Sequence, residues 1–214
     1  MVFSQEDYIE RITDASYQVR QTLKDVGSSA TYLWPKKGGE YQAWKGYSYE
    51  IPKEEQIRSA FWSALQSDEI VCELEWNIYT TEARPKVSGE IDIVGYMRKS
   101  NLGLPSLFLE IKRTWNLKGW HNKGSEMLAG IKMDIEKLGP VFKATKKLAK
   151  KEGSQIFAGV VVIGFSDQAA TASELDIKKI EGSKVSRLWP DVDKDVCFKN
   201  ERPIYVRADL IILQ

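Results

Sequence analysis

Apolar positions recur along this chain with two different periods, and the switch between them maps its elements. Over residues 4–25, Tyr8, Ile9, Ile12, Tyr17, Val19 and Leu23 form a rough helical stripe, and Ser4 and Asp7 are placed to cap its start. After Pro52, residues 53–67 predict a second helix with Ile57, Phe61, Ala64 and Leu65 along one face. Residues 70–80 alternate instead: Cys72, Leu74, Trp76 and Ile78 on one side, Glu73 and Glu75 on the other, as in a half-buried strand. Residues 88–97 and 105–113 predict two more strands, and the Asn101 and Gly103 link between them suits a hairpin. Residues 125–138 return to the helical period, with Ser125 as cap and Leu128, Ile131, Ile135 and Leu138 on one face. Gly139-Pro140 is expected to stop that helix, and residues 141–151 to form a separate basic one. Residues 155–165 are apolar almost without alternation, as a strand buried on both faces would be. Residues 168–181 predict a helix, and 194–199 and 203–213 predict strands. Residues 27–52 are expected to be irregular, punctuated by Gly27, Pro35, Gly38, Gly39, Gly46 and Pro52.

The chain has 214 residues, 43% of them hydrophobic, enough to fill one sizeable core with additions. The expected organisation is an extension over 1–52 (a helix and an aromatic, basic loop), a core over 53–165, and a C-terminal helix and strands over 166–214 completing the same domain. Net charge is +1, so no global charge announces a partner. The distribution is more telling: Glu50 to Asp92 holds ten acidic and four basic residues, and Ile111 to Lys151 three acidic and eleven basic. That split suits a cation site beside a polyanion groove. Two cysteines exclude a disulfide framework, and the single histidine, His121, excludes a histidine-rich zinc site. The polar, acidic first residues and the lack of a long apolar run lead to an expected cytoplasmic protein with no membrane partner.

Chemistry concentrates in two runs, Gly89-Glu90-Ile91-Asp92-Ile93-Val94 and Leu107-Phe108-Leu109-Glu110-Ile111-Lys112. On a strand Glu110 and Lys112 point one way while Leu109 and Ile111 point to a core. A carboxylate and an ammonium at the edge of a core are costly, and Asp92 adds a second carboxylate on another apolar run. The three together suggest a metal site with a catalytic lysine. A hard cation such as Mg²⁺ takes oxygen ligands and keeps several waters, so Asp92 and Glu110 are candidate ligands. Lys112 can orient an attacking water and stabilise developing negative charge. Glu90 shares the strand face of Asp92, as an extra ligand or a solvated neighbour. Lys143, Lys146, Lys147 and Lys150 form a basic stripe at helical spacing, and Lys36 and Lys37 lie among aromatics; both sets are candidate nucleic-acid contacts. His121 lies just beyond the second run, and Trp115 and Trp120 are expected to cap the core edge.

The order helix, strand, strand, strand, helix, strand, with Asp92 on the second strand and Glu110-Ile111-Lys112 on the third, resembles the PD-(D/E)XK (restriction-endonuclease-like) nuclease superfamily over roughly residues 53–165. The chain departs from the name-giving motif at Ile91, which stands where that motif has proline. The resemblance implies an α/β fold with an αβββαβ core, a central mixed sheet flanked by helices, and N- and C-terminal additions. It also implies a metal-dependent nuclease using Mg²⁺ (or Mn²⁺), with DNA as partner and a homodimer as a route to cutting both strands. The Ile111 carbonyl becomes a further metal ligand, and the apolar Ile93-Val94 after Asp92 makes it the better choice over Glu90. Many members add a glutamate from the first core helix. Here Glu54 lies nearly in line with Ile57, Phe61 and Leu65, whereas Glu55 is turned away, so Glu54 is the candidate. Whether Lys112 acts as a base or as a charged stabiliser stays open. The alternative is a catalytically inactive nucleic-acid-binding or protein-interaction module on the same fold; a third reading treats the charges as ordinary surface.

Overall fold

The computed structural model describes residues 3–29, 31–36, 38–45, 51–78, 89–98, 103–116, 124–150, 155–166, 183–189, 193–199 and 202–214. Its elements are α1 (Gln5–Ser29), β1 (Thr31–Pro35), β2 (Tyr41–Lys45), α2 (Glu54–Leu65), β3 (Ile70–Asn77), β4 (Glu90–Met97), β5 (Pro105–Asn116), α3 (Gly124–Lys150), β6 (Phe157–Ser166), β7 (Ser183–Arg187), β8 (Asp193–Lys199) and β9 (Arg202–Leu213). The expected order from α2 to β6 is present. Seven strands form one mixed sheet in the order β3-β4-β5-β6-β9-β7, and β8 shares the outer edge of β9 with β7. Among the described strands of this sheet only β5 and β6 run parallel, joined through α3; the other described pairs are antiparallel.

Two cores follow from strand alternation. Leu107, Leu109 and Ile111 of β5 and Val161, Ile163 and Phe165 of β6 pack under α1 and α2. Phe108 of β5 and Ala158, Val160 and Val162 of β6 pack under α3 with Ile131, Leu138, Val141 and Phe142. Every residue of β6 is buried, as its unbroken apolar run predicts. Gly159 is required there: a Cβ would lie 2.9 Å from the Ile211 carbonyl oxygen and 3.0 Å from a Leu210 methyl. Gly159→Ala is therefore expected to destabilise the fold by about 1–3 kcal/mol, read from a denaturant midpoint.

Ser4 and Asp7 do cap α1 reciprocally: the Asp7 N–H donates to Ser4 Oγ at 3.2 Å and the Ser4 N–H to Asp7 Oδ2 at 2.6 Å. Of the α1 stripe, Tyr8, Ile12, Val19 and Leu23 are buried, but Tyr17 is exposed, and Ala15 and Ser16 turn inward instead. The irregular reading of 27–52 is corrected by β1 and β2. They pair antiparallel across a turn where Gly38 and Gly39 take φ of +106° and +83°, values open to glycine. The two-helix reading of 125–151 is corrected as well: α3 continues without a break through Pro140. Both flanks of the proline are anchored on the sheet by Leu138, Val141 and Phe142, and Glu136, whose carbonyl loses its N–H partner, is exposed to water. Pro140→Ala restores that hydrogen bond and is expected to raise stability by about 1–3 kcal/mol, measured as an increase in Tm. β7 was not expected from sequence, whereas 193–199 and 202–213 are strands as predicted. The helix predicted over 168–181 lies outside the described residues.

Candidate active site at the parting of two strands

The β4–β5 ladder pairs Ile93 with Leu109, so the next residues along, Asp92 and Glu110, are neighbours on adjacent strands. Beyond that pair the backbone ladder gives way to a side chain: the Ile111 N–H donates to Asp92 Oδ2 at 2.7 Å. Alternation then puts Glu110 and Lys112 on the α3 face, opposite Leu109 and Ile111. The helices complete the cluster. Glu54, at the start of α2, accepts the Arg113 N–H at 2.8 Å through Oε2, and its Oε1 lies 3.8 Å from Lys112 Nζ. Glu55 is exposed, so the expected choice between them matches the placement of Glu54. From α3, Asp134 Oδ2 sits 3.0 Å from Lys112 Nζ. Lys137 Nζ sits 2.6 Å from Glu110 Oε1 and donates to the Glu90 carbonyl at 2.8 Å. Arg58, one turn after Glu54, donates to Asp92 Oδ1 at 3.0 Å and to Glu75 Oε1 at 2.7 Å.

Electrostatics follow from this packing. Glu110 is 2% exposed, and burial, reinforced by the nearby Asp92 charge, pushes its pKa up to about 9 despite Lys137. Burial works to lower the pKa of Lys112, but Asp134 and Glu54 outweigh it and hold the ammonium above its ordinary value. Asp134 is raised by burial, against the pull of Lys112 and Lys137. Glu110 Oε1 and Asp134 Oδ2 are buried and have no hydrogen bond of good direction among the described residues, although each touches a lysine as an ion pair.

No three Asp, Glu, His or Cys side chains among the described residues converge to hold a metal by themselves. A Mg²⁺-like ion needs only one or two carboxylates, because it keeps several waters. The donors at the strand parting are oxygens of Asp92 and of Glu110, with its buried, poorly satisfied Oε1. The Ile111 carbonyl faces the same strand edge as the Ile111 N–H that meets Asp92, as both groups of one strand residue do. That set fits a hard divalent cation.

Several expected contacts lie elsewhere. Glu90 is exposed and contributes its carbonyl rather than its carboxylate. Lys143, Lys146, Lys147 and Lys150 are all exposed, but they do not converge with the carboxylates. α3 descends from the site, so Lys146 lies about 14 Å along its axis from Lys137. Lys146 and Lys150 instead border a cavity of about 490 Å³ beside Phe157 and Leu213, with Lys146 Nζ 5.0 Å over the Phe142 ring. Lys36 is exposed beside the β1–β2 turn; Lys37, Trp120 and His121 lie outside the described residues. Trp115 is partly buried against the core with the Arg113 guanidinium 4.7 Å above it, as expected of a core-edge cap. Cys72 is a buried thiol, and burial pushes its pKa up to about 12.

Four residues of the cluster escaped the sequence reading. Asp134 shares the buried stripe of Ile131 and Leu138, and a carboxylate at a core position of a helix is a readable signal. Arg58 and Lys137 follow from Glu54 and Asp134 at i+4 and i+3 spacing. Glu75 gives no such signal: it holds φ of 53°, a left-handed conformation costing a non-glycine residue about 1–3 kcal/mol.

No family model matches the chain, and neither curated proteins nor solved structures match it. No described helix is long and apolar enough to cross a membrane.

Proposed function

We propose that the chain is a metal-dependent nuclease of the PD-(D/E)XK type, hydrolysing phosphodiester bonds of DNA in the cytoplasm and cutting both strands as a homodimer. One observation carries this reading: Asp92 and Glu110 lie side by side where β4 and β5 part, with Lys112 next on the same face and Glu54 reaching in from α2. Asp92, Glu110 and the Ile111 carbonyl are the residues that would hold Mg²⁺ or Mn²⁺, which when bound supplies Lewis acidity towards the phosphoryl oxygen and acidifies a water. Lys112 is caged between Asp134 and Glu54, which keeps it charged. It therefore acts as an electrostatic stabiliser of the phosphorane-like charge rather than as a base. The Asp92 carboxylate is oriented by the Ile111 N–H, so its position is set by the strand backbone and not by a flexible loop. Water oxygen bonds to phosphorus as the P–O3′ bond breaks, and the proton the water loses to solvent is returned by solvent to the departing 3′-oxygen, leaving a 5′-phosphate and a 3′-hydroxyl.

A second reading has a specific observation in its favour. Arg58 and Lys137 already occupy an oxygen each of Asp92 and Glu110, as they would in a non-catalytic DNA-binding module on the same scaffold. The two readings separate on one variant series assayed with supercoiled DNA and with RNA in Mg²⁺. For the nuclease, Asp92→Ala abolishes cleavage while the circular-dichroism spectrum is kept. For the module, Asp92→Asn leaves function intact, and Lys143→Ala with Lys146→Ala weakens DNA binding and lowers its salt dependence.

A further inference from the structure

Asp92 is not open to a cation as it stands. Its Oδ1 accepts Arg58 Nη1 at 3.0 Å, while the same guanidinium gives Nη2 to Glu75 Oε1 at 2.7 Å. Glu75 reaches that position from a left-handed backbone, φ 53°, within β3. The ladder pairs its neighbours, Leu74 with Ile93 and Trp76 with Ile91, while Glu75 is left out of it with its carboxylate on the arginine. Arg58 thus has two carboxylate partners on two strands, and only Asp92 belongs to the candidate metal pair. Lys137 stands in the same relation to Glu110, with the Glu90 carbonyl at 2.8 Å as its second anchor. Each cation therefore already holds a partner on which it can rest after releasing its metal-site oxygen. A guanidinium keeps its charge at any working pH and binds carboxylate and phosphate oxygens through the same fork. An ion and a guanidinium competing for one oxygen shift each other's occupancy by their difference in affinity.

We propose that Arg58 is the built-in counter-cation of this site: it holds Asp92 in the metal-free protein, yields Oδ1 on metal uptake, and stays on Glu75 with Nη1 turned to the substrate phosphate. The inference rests on the nuclease reading and adds to it a residue that couples metal loading to phosphate binding.

The test is Mn²⁺ titrated into metal-free protein without nucleic acid, followed by loss of the free-ion paramagnetic resonance signal. Arg58→Met removes the competitor, so Mn²⁺ binds about tenfold more tightly than to wild type. Glu75→Gln removes the resting partner, leaves Arg58 with Asp92 alone, and weakens Mn²⁺ binding about threefold or more. A purely structural brace predicts weaker binding for both variants, so the opposite signs distinguish the two. Wild-type uptake with unchanged or weaker uptake by Arg58→Met overturns this inference and leaves the nuclease reading standing. Should Arg58→Met fail to fold, Arg58→Gln, which removes the charge but keeps a polar head beside Glu75, takes its place beside Glu75→Gln; tighter binding by Arg58→Gln is expected, and equal or weaker binding overturns the inference. No Mn²⁺ uptake by wild type overturns the nuclease reading and this inference with it.

Discussion

Lys112→Met is expected to slow DNA hydrolysis by about a hundred- to a thousandfold, the usual loss when one preorganised donor to a developing anion is removed, with Mn²⁺ uptake retained. The reason lies in how the ammonium is held. Asp134 at 3.0 Å and Glu54 at 3.8 Å approach it from two helices, and together they keep it protonated above its ordinary range. A lysine so held makes no proton transfer near neutral pH, so the rate should show no rising limb from its deprotonation between about pH 7 and 9. Methionine fills the volume but leaves Asp134, itself buried, without its nearest cation. Some stability is lost for that reason. The companion Lys112→Met with Asp134→Asn removes the orphaned charge and should recover the fold without the activity. Steady-state cleavage beside thermal unfolding checks both; full activity in a folded Lys112→Met protein would remove Lys112 from the mechanism.

Glu110→Gln should do two opposite things: stabilise the metal-free protein and abolish metal-dependent stabilisation. Burial and the Asp92 charge raise the Glu110 pKa from 4.5 to about 9 in the folded chain. The folded state therefore binds a proton more tightly than the unfolded chain, and stability falls as pH rises from about 4.5 to about 9. At pH 7 the folded carboxyl is neutral while the unfolded one is charged, a handicap of up to about 3 kcal/mol. Glutamine mimics the neutral acid, lacks the handicap, and keeps a carbonyl oxygen near Lys137. The metal-free variant should melt roughly 3–10 °C higher at pH 7, with a flatter dependence of Tm on pH between about 5 and 9. Mg²⁺ or Mn²⁺ should raise the wild-type Tm and leave that of Glu110→Gln where it is. Calorimetric melts across pH, with and without metal, measure both effects. A variant that melts lower than wild type throughout would show that Glu110 braces the fold as a charge.

Much of the site was legible because strand alternation is a strict geometric rule. It placed Glu110 and Lys112 on one face, and the hairpin spacing brought Asp92 beside them. The helical period distinguished Glu54 from Glu55 because 100° per residue separates a group over the sheet from one in solvent. The misreadings share a cause: tertiary packing overrode local punctuation. Gly38 and Gly39 make a hairpin turn rather than a structureless loop. Pro140 sits inside α3 because buried residues on both sides hold the helix on the sheet. Arg58, Asp134 and Lys137 were missed because a charged residue on a helix is ordinarily solvated; Asp134 on the buried stripe of α3 is the signal against that, and the contacts to β4 and β5 show where all three point. The basic stripe illustrates the converse. Its spacing is regular, yet α3 carries it away from the carboxylates, which no one-dimensional pattern reveals.

The most direct measurement is cleavage of supercoiled DNA by the purified chain, in Mg²⁺ and in excess chelator, beside Asp92→Asn under the same conditions. The expected result is nicked or linear product for wild type in Mg²⁺, and none for wild type in chelator or for the variant. Intact DNA with every divalent metal tried, or cleavage that survives Asp92→Asn, contradicts the assignment of Asp92, Glu110 and Lys112 as a catalytic site.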